Sequence, residues 1–129
     1  MRHRILIVDD DEGVRSLFRL IFRREGFDVI EAADGAEAID RALTSHPAAI
    51  LLDVMMPGMD GFDTCRLLKN DPRTSRMPIL FVSAFEEPSS RTRARQVGAA
   101  DWIRKPISPR ELADRVRKAI EQPSWASAS

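Results

Sequence analysis

The sequence predicts an α/β fold, in which a doubly wound parallel sheet of five strands carries five flanking helices. Three observations lead to this fold class: short continuous apolar runs, amphipathic segments that alternate with them, and glycines at the junctions. Runs as uninterrupted as residues 5–8 are typical of strands buried on both faces, as in parallel sheets. Because parallel neighbours need a helical crossover, the regular alternation predicts helices on both faces of the sheet.

Five apolar runs mark the predicted strands. Three of them are continuous and are expected to lie in the middle of the sheet: residues 5–8, 48–52 and 79–82. Two weaker runs, at residues 27–31 and 101–104, continue the same rhythm and are expected nearer the sheet edges.

Between the strands, apolar residues recur at helical spacing and are expected to face the core. Four segments carry this pattern: Val14, Leu17, Phe18 and Ile21; Ala36, Ile39 and Leu43; Phe62, Cys65 and Leu68; and Leu112, Val116, Ala119 and Ile120. The remaining helix, the fourth along the chain, is predicted between Glu86 and Val97. It has only Ala94 and Val97 as apolar anchors, so we expect it to be the weakest and most mobile.

The charges balance overall but are divided along the chain. Residues 1–65 hold 7 basic and 13 acidic side chains, whereas residues 66–129 hold 13 basic and 7 acidic ones. This division argues against a uniformly basic nucleic-acid binder and against a polybasic membrane anchor.

The length of 129 residues suits one domain, which we expect to span residues 1–121. Residues 122–129 contain Pro123 and small polar side chains and are predicted to form a flexible tail. The single cysteine, Cys65, excludes an intramolecular disulfide and a cysteine-rich zinc site. With no signal peptide and no apolar run of about 18 residues, a cytoplasmic protein that makes no membrane contact is expected.

Acidic, hydroxyl and amine side chains follow the predicted strands. Asp9 and Asp10 come after the first strand, Asp53 after the third, Ser83 after the fourth and Lys105 after the fifth. Ligands of doubly wound sheets bind at the carboxyl ends of the strands. Two carboxylates about 4 Å apart repel by about 4 kcal/mol at an effective dielectric near 20, so three of them favour a bound cation. Oxygen ligands select Mg²⁺ over zinc, which indicates phosphoryl chemistry.

Four motifs in this order carry a family resemblance: Ile5-Leu-Ile-Val-Asp-Asp-Asp11, Leu51-Leu-Asp-Val-Met-Met-Pro-Gly-Met-Asp-Gly61, Ser83-Ala84 and Lys105-Pro106. Together they resemble the receiver domain of two-component response regulators, the CheY-like family. The resemblance covers the chain from Ile5 to about Ile120. It implies a flavodoxin-like strand order of 2-1-3-4-5 and a cis Lys105–Pro106 peptide bond.

The resemblance also implies a role for each strand-end residue. Asp53 is the expected phosphoacceptor, and its carboxylate takes a phosphoryl group from a sensor histidine kinase or a phosphotransfer protein. The expected Mg²⁺ ligands are Asp10, Asp53 and the backbone carbonyl of Met55, with Asp9 acting through water. Lys105 and Ser83 are expected to contact the phosphoryl oxygens. The chain would be a signalling phosphoprotein that catalyses only its own phosphorylation and dephosphorylation.

Signalling is expected to use a two-state switch. By resemblance, Ser83 moves toward the phosphoryl group and an aromatic residue of the fifth strand, here Trp102, turns inward. The output surface is predicted on the basic face of the fourth helix, fifth strand and fifth helix, where it meets an effector protein or a second copy of the chain. Arg91 and Arg95 are its expected contacts, and direct nucleic-acid binding is not expected. Met55 and Phe85 are expected to restrict the access of water to the aspartyl phosphate and so to slow its hydrolysis.

Two alternatives remain open. Residues 7–14 also fit the nucleophile loop of a haloacid-dehalogenase-like phosphohydrolase, in which Asp9 would attack and Asp11 would act as acid and base. That alternative leaves the Asp53 loop unexplained. The second is a receiver-like binding module that no longer accepts phosphate.

Overall fold

The computed structural model describes residues 2–84 and 86–121. Five parallel strands form one sheet in the order β2-β1-β3-β4-β5, as the resemblance implied. The strands are β1 (Arg4–Val8), β2 (Asp28–Ala32), β3 (Ala49–Leu52), β4 (Ile79–Ser83) and β5 (Asp101–Arg104). The predicted α/β fold class is therefore confirmed, with strand ends displaced by at most one residue.

Five helices connect and flank the strands: α1 (Glu12–Arg24), α2 (Gly35–Ser45), α3 (Gly61–Asn70), α4 (Ser90–Gln96) and α5 (Pro109–Glu121). The first three begin at an aspartate whose carboxylate accepts a backbone N–H three residues later: Asp11, Asp34 and Asp60. This side-chain cap satisfies an N–H that has no partner within the helix.

The sheet has a hydrophobic core on each face, because successive strand residues point to opposite sides. One core contains alternate residues of β1 and β3, including Leu6 and Ile50, and packs against α2, α3 and α4. The other contains Ile5 and Leu51 and packs against α1 and α5. Both faces of the central strands are thus buried, which explains their uninterrupted apolar sequence.

Two helix faces differ from the sequence prediction. In α1, Phe18 and Phe22 are buried, whereas Leu17 is 54% exposed. In α2, the buried face consists of Gly35, Ala38 and Ala42, and Ala36 is exposed. The small side chains of that face allow α2 to approach α3 closely: a Cβ at Gly35 would meet the Thr64 side chain.

The fourth helix is shorter than predicted. It begins at Ser90 and ends at Gln96, so residues 86–89 precede it as a loop. Its buried anchor is Ala94, as expected from the sequence. Within the described residues, no helix combines the length and the apolar character that crossing a bilayer requires. The predicted tail, residues 122–129, lies outside the described residues, as does Phe85.

Candidate functional site

Three carboxylates meet at the carboxyl end of the sheet. Asp9, Asp10 and Asp53 each offer an oxygen, and these oxygens lie within 4.8 Å of one another. The convergence follows from strand register, since Val8 of β1 pairs with Leu52 of β3 and the next residue on each strand is an aspartate. The N–H of Asp53 donates to the carbonyl of Val8 at 3.0 Å, which locks the two strand ends together.

Lys105 and Ser83 reach the same rim from β5 and β4. The backbone N–H of Lys105 donates to the carbonyl of Ser83 at 2.9 Å, and the Lys105–Pro106 peptide bond is cis, as the resemblance implied. The Lys105 ammonium lies 3.8 Å from Oδ2 of Asp9. Leu52 of β3 pairs with Phe81 of β4, so the next residue of β3, Asp53, is in register with Val82. Ser83 follows Val82 and is 2% exposed. All five predicted strand-end residues are therefore on one rim.

Burial and mutual repulsion shift the acidity of the cluster. Burial, followed by the neighbouring charge of Asp9, raises the pKa of Asp53 to about 6, against the opposing effects of Lys105 and the N–H of Met55. Burial also raises the pKa of Asp9, against the N–H of Asp11 and the charge of Lys105. One lysine therefore does not compensate the carboxylates fully.

The donor set fits Mg²⁺. Three carboxylates within reach of one another supply hard oxygen ligands, and the raised pKa values of Asp9 and Asp53 indicate an unsatisfied demand for positive charge. Soft ligands are absent from the cluster, which argues against zinc or copper. Met55 follows two residues after Asp53, and its N–H lies 3.4 Å from Oδ1 of that carboxylate, with the side chain 64% exposed.

A glycine allows α3 to begin directly beside the Asp53 loop. A Cβ at Gly61 would lie 2.5 Å from the carbonyl oxygen of Asp53 and 3.1 Å from the Phe81 ring. Any larger residue would displace either the loop or the ring. Gly61 therefore holds the Asp53 loop close to the aromatic side chains below it.

Trp102 is buried at the centre of an aromatic cluster. Its ring stacks on Phe62 with a centroid distance of 6.2 Å and an interplanar angle of 14°, and Phe81 lies 5.6 Å away on a tilted plane. Trp102 is 2% exposed, and its Nε1 has no hydrogen-bond partner in the described part of the chain. The Arg93 guanidinium lies over the Phe62 ring, 4.1 Å from its centroid.

The predicted basic output face is a mixed-charge surface. Arg91 pairs with Glu86 at 3.3 Å, and Arg115 binds Asp101 with two donors and approaches Glu111. Arg117 forms ion pairs with Glu25 and Asp114. The excess of arginine in the sequence therefore overstates the positive charge available there, because acidic side chains of α5 itself and of other elements lie beside it.

Sequence reasoning did not identify three contacts of this region. The sequence predicts Phe62 only as a core residue and assigns no contact to Arg93 or to Arg15. Yet Arg15 Nη1 donates to the backbone carbonyl of Asp9 at 2.6 Å. These contacts join different elements, so no local pattern signals them.

The phosphohydrolase alternative is weakened by the geometry of Asp11. Its carboxylate accepts the N–H of Val14 at 3.2 Å and caps α1, and its own N–H donates to Asp9 at 2.9 Å. A residue engaged as a helix cap is poorly suited to carry a proton for Asp9. The Asp53 loop, which that alternative leaves without a role, lies in the cluster.

Comparisons with known proteins identify the family. The family model for the response regulator receiver domain matches residues 5–117. The chain belongs to this family of two-component signalling proteins, and neither the phosphohydrolase nor the phosphate-free alternative is favoured.

Individual relatives agree with this assignment. The chain is 38% identical over 129 residues to the alkaline phosphatase synthesis transcriptional regulatory protein PhoP of Bacillus subtilis, covering 100% of this chain and 53% of that one. It is 38% identical over 122 residues to the DNA-binding response regulator MtrA of Mycobacterium tuberculosis, covering 95% and 52% of the two chains. The chain thus spans about half the length of these relatives.

A solved structure shows the same fold. The chemotaxis protein CheY4 of Vibrio cholerae superposes with a TM-score of 0.86 at 29% identity, covering 92% of this chain and 98% of that one. The receiver fold therefore covers 92% of this chain.

Proposed function

We propose that Asp53 accepts a phosphoryl group from a phosphohistidine of a sensor histidine kinase or a phosphotransfer protein. A carboxylate oxygen of Asp53 forms the new bond to phosphorus, and the phosphorus–nitrogen bond breaks. The electron pair of that bond stays on the imidazole nitrogen, which then takes a proton. The product is an aspartyl phosphate. The observation that carries this proposal is the convergence of Asp9, Asp10 and Asp53 beside Lys105.

Asp10, Asp53 and the backbone carbonyl of Met55 would hold Mg²⁺, with Asp9 acting through water. The ion would neutralise charge on the phosphoryl oxygens. The protein's own contribution is to hold the carboxylates together in a partly buried place, and burial, followed by repulsion from Asp9, raises the pKa of Asp53. Asp9 is held by the N–H of Asp11 at 2.9 Å and faces the Lys105 ammonium at 3.8 Å.

Lys105 and Ser83 would contact the phosphoryl oxygens. The ammonium of Lys105 is a compact charge on a flexible stem, and it lies 5.7 Å from the centroid of the Phe18 ring. Phosphorylation replaces a charge of −1 by about −2, so a nearby hydrogen-bond donor gains an attractive partner. The carbonyl of Ser83 accepts a hydrogen bond from the N–H of Lys105. Ser83 would move with the end of β4 toward the phosphoryl group.

Trp102 and the surface of α4, β5 and α5 would transmit the signal. Phe81, two residues before Ser83, contacts the Trp102 ring, so a shift of β4 reaches the aromatic cluster. The partner would be an effector protein or a second copy of the chain, meeting a surface of paired charges. Since PhoP is described as a transcriptional regulatory protein and MtrA as a DNA-binding response regulator, a DNA-binding effector is one candidate, and the cytoplasm is the expected location.

One experiment distinguishes this function from its alternatives. The full chain is incubated with acetyl phosphate and Mg²⁺, and the acid-stable, base-labile phosphate is located by peptide mapping. We expect the phosphate on Asp53 and its loss in Asp53→Asn. The control Asp40→Asn, which removes an acidic side chain from the exposed face of α2, should be phosphorylated normally. Phosphate on Asp9 would instead support the phosphohydrolase, and no phosphate at all would support the silent binding module.

A further inference from the structure

Arg15, near the start of α1, contacts both the acidic turn and strand β2. Its Nη1 donates to the backbone carbonyl of Asp9 at 2.6 Å, and its Nε donates to Oε1 of Glu31 at 3.3 Å. The Arg15 side chain is 16% exposed. A guanidinium with two protein partners and little solvent contact is not an ordinary surface charge.

The Glu31 carboxylate is itself held in place. Arg19 contacts its other oxygen from the next turn of α1. Glu31 precedes Ala32, whose carbonyl accepts the N–H of Asp9 at 3.1 Å. The N–H and the carbonyl of Asp9 are therefore both bound, one by β2 directly and one through Arg15.

Fixing the Asp9 carbonyl also fixes the direction of the next residue. The carbonyl of Asp9 and the N–H of Asp10 belong to one planar peptide unit, which turns as a whole. Asp10 is exposed, so its side chain is not aimed by packing against neighbours. The direction of its carboxylate depends instead on the backbone that Arg15 holds.

We propose that Arg15 is a positioning residue of the Mg²⁺ site. Its guanidinium holds the Asp9–Asp10 peptide against Glu31 and so aims the Asp10 carboxylate toward Asp9 and Asp53. The inference rests on the proposed function, in which these carboxylates hold the ion. A planar guanidinium donates to a carbonyl and a carboxylate at once in a way that an ammonium does not reproduce. Groups that orient metal ligands typically change metal affinity by about 10–100-fold.

Positioning and simple charge have opposite effects at this site. Arg15 carries a positive charge close to a cation site, so if charge alone mattered, its removal would strengthen Mg²⁺ binding. If Arg15 positions the ligands, its removal weakens Mg²⁺ binding. The sign of the change therefore separates the two roles.

The test is a titration of the ¹⁵N-labelled full chain with MgCl₂ at constant ionic strength, followed by amide chemical shifts. The variants are Arg15→Gln and Arg15→Lys. The matched control is Arg23→Gln, which removes the same charge from an exposed position of the same helix. We expect Arg15→Gln to weaken Mg²⁺ binding about tenfold, Arg15→Lys to weaken it less, and the control to stay within about twofold of wild type. Before any Mg²⁺ is added, the amide chemical shift of Asp10 in Arg15→Gln should already differ from that in the wild-type chain.

Unchanged or tighter Mg²⁺ binding by Arg15→Gln would overturn the positioning role. If that variant does not fold, which its amide spectrum reveals, Arg15→Lys decides the question, and wild-type affinity in it overturns the inference. Failure of the wild-type chain itself to bind Mg²⁺ would overturn the proposed function as well. The two failures are thus distinguishable in one data set.

Discussion

The ring of Trp102 stacks on that of Phe62, with 6.2 Å between centroids and 14° between planes. Trp102 belongs to β5 and Phe62 to the first turn of α3, directly after the loop that begins at Asp53. Arg93 of α4 covers the Phe62 ring, so three elements meet through one aromatic cluster. The cluster links the candidate phosphorylation loop to the candidate output surface.

The first prediction concerns Trp102 as a reporter. Replacing Trp125 by Phe leaves Trp102 as the only tryptophan. Its emission should change when beryllofluoride and Mg²⁺ bind, because Ser83 and Phe81 share a strand and Phe81 contacts the indole. Fluorescence emission and acrylamide quenching measure the change. Identical spectra under conditions where amide shifts show that the analogue is bound would refute a role for Trp102 in the switch.

The second prediction concerns the stacking itself. Phe62→Leu should lower the free energy of unfolding by about 1–2 kcal/mol, because it removes an aromatic pair and part of a buried side chain. It should also alter Trp102 emission. Urea denaturation of both proteins provides the measurement. Leu67→Ala, at a position of α3 that is 49% exposed, is the control and should be close to neutral; an equal loss in both variants would argue against a specific stack.

The third prediction follows from the raised pKa of Asp53. A carboxyl group whose pKa is about 6 in the folded chain and 3.8 in the unfolded chain binds more protons when folded, so it lowers stability as pH rises from about 4 to about 6. In EDTA, Asp53→Asn should therefore be more stable than wild type above pH 6, by up to about 3 kcal/mol, and nearly equal to it near pH 4. Denaturation at a series of pH values measures this difference.

The control for that series is Asp40→Asn, which removes an exposed acidic side chain from α2. Its stability relative to wild type should change little between pH 4 and pH 7. A gain for Asp53→Asn that does not depend on pH would mean that the cost of ionising the partly buried Asp53 carboxyl is not its cause.

The fourth prediction concerns Mg²⁺. At a concentration ten times its dissociation constant, the ion should stabilise the wild-type chain by about 1.4 kcal/mol, because it binds only the folded form. Asp10→Asn and Asp53→Asn should lose most of this gain. Thermal unfolding with MgCl₂, compared with KCl of equal ionic strength, measures the effect. Equal stabilisation by the two salts would show that the cluster does not bind the ion.

The fifth prediction concerns the output surface. Arg91→Glu together with Arg95→Glu should weaken association that depends on phosphorylation, because both changes reverse the charge of this surface and the first replaces the ion pair of Arg91 with Glu86 by repulsion between two acids. Sedimentation velocity with and without beryllofluoride measures association. The double variant Arg23→Glu, Arg41→Glu has the same net charge but alters exposed positions of α1 and α2. Loss of association in both double variants would indicate a general charge effect.

Much of the fold was predictable because burial leaves a local signature. A strand buried on both faces is apolar throughout, so the three central strands could be recognised from residues 5–8, 48–52 and 79–82. Helix faces were less certain. Leu17 has the spacing of a core residue but is 54% exposed, since α1 packs through Phe18 and Phe22 and only one side of it meets the sheet.

The convergence of Asp9, Asp53, Ser83 and Lys105 was also predictable, since each follows a strand and parallel strands end at one edge. The sequence by itself determined which chemical groups stand at that edge and the family to which they belong. Only the tertiary structure decided how they are held: the Arg15 contact to the Asp9 carbonyl, the stack of Trp102 on Phe62 and the pairing of Arg115 with Asp101. Each of these contacts joins two different elements, and the packing of those elements determines which side chains meet.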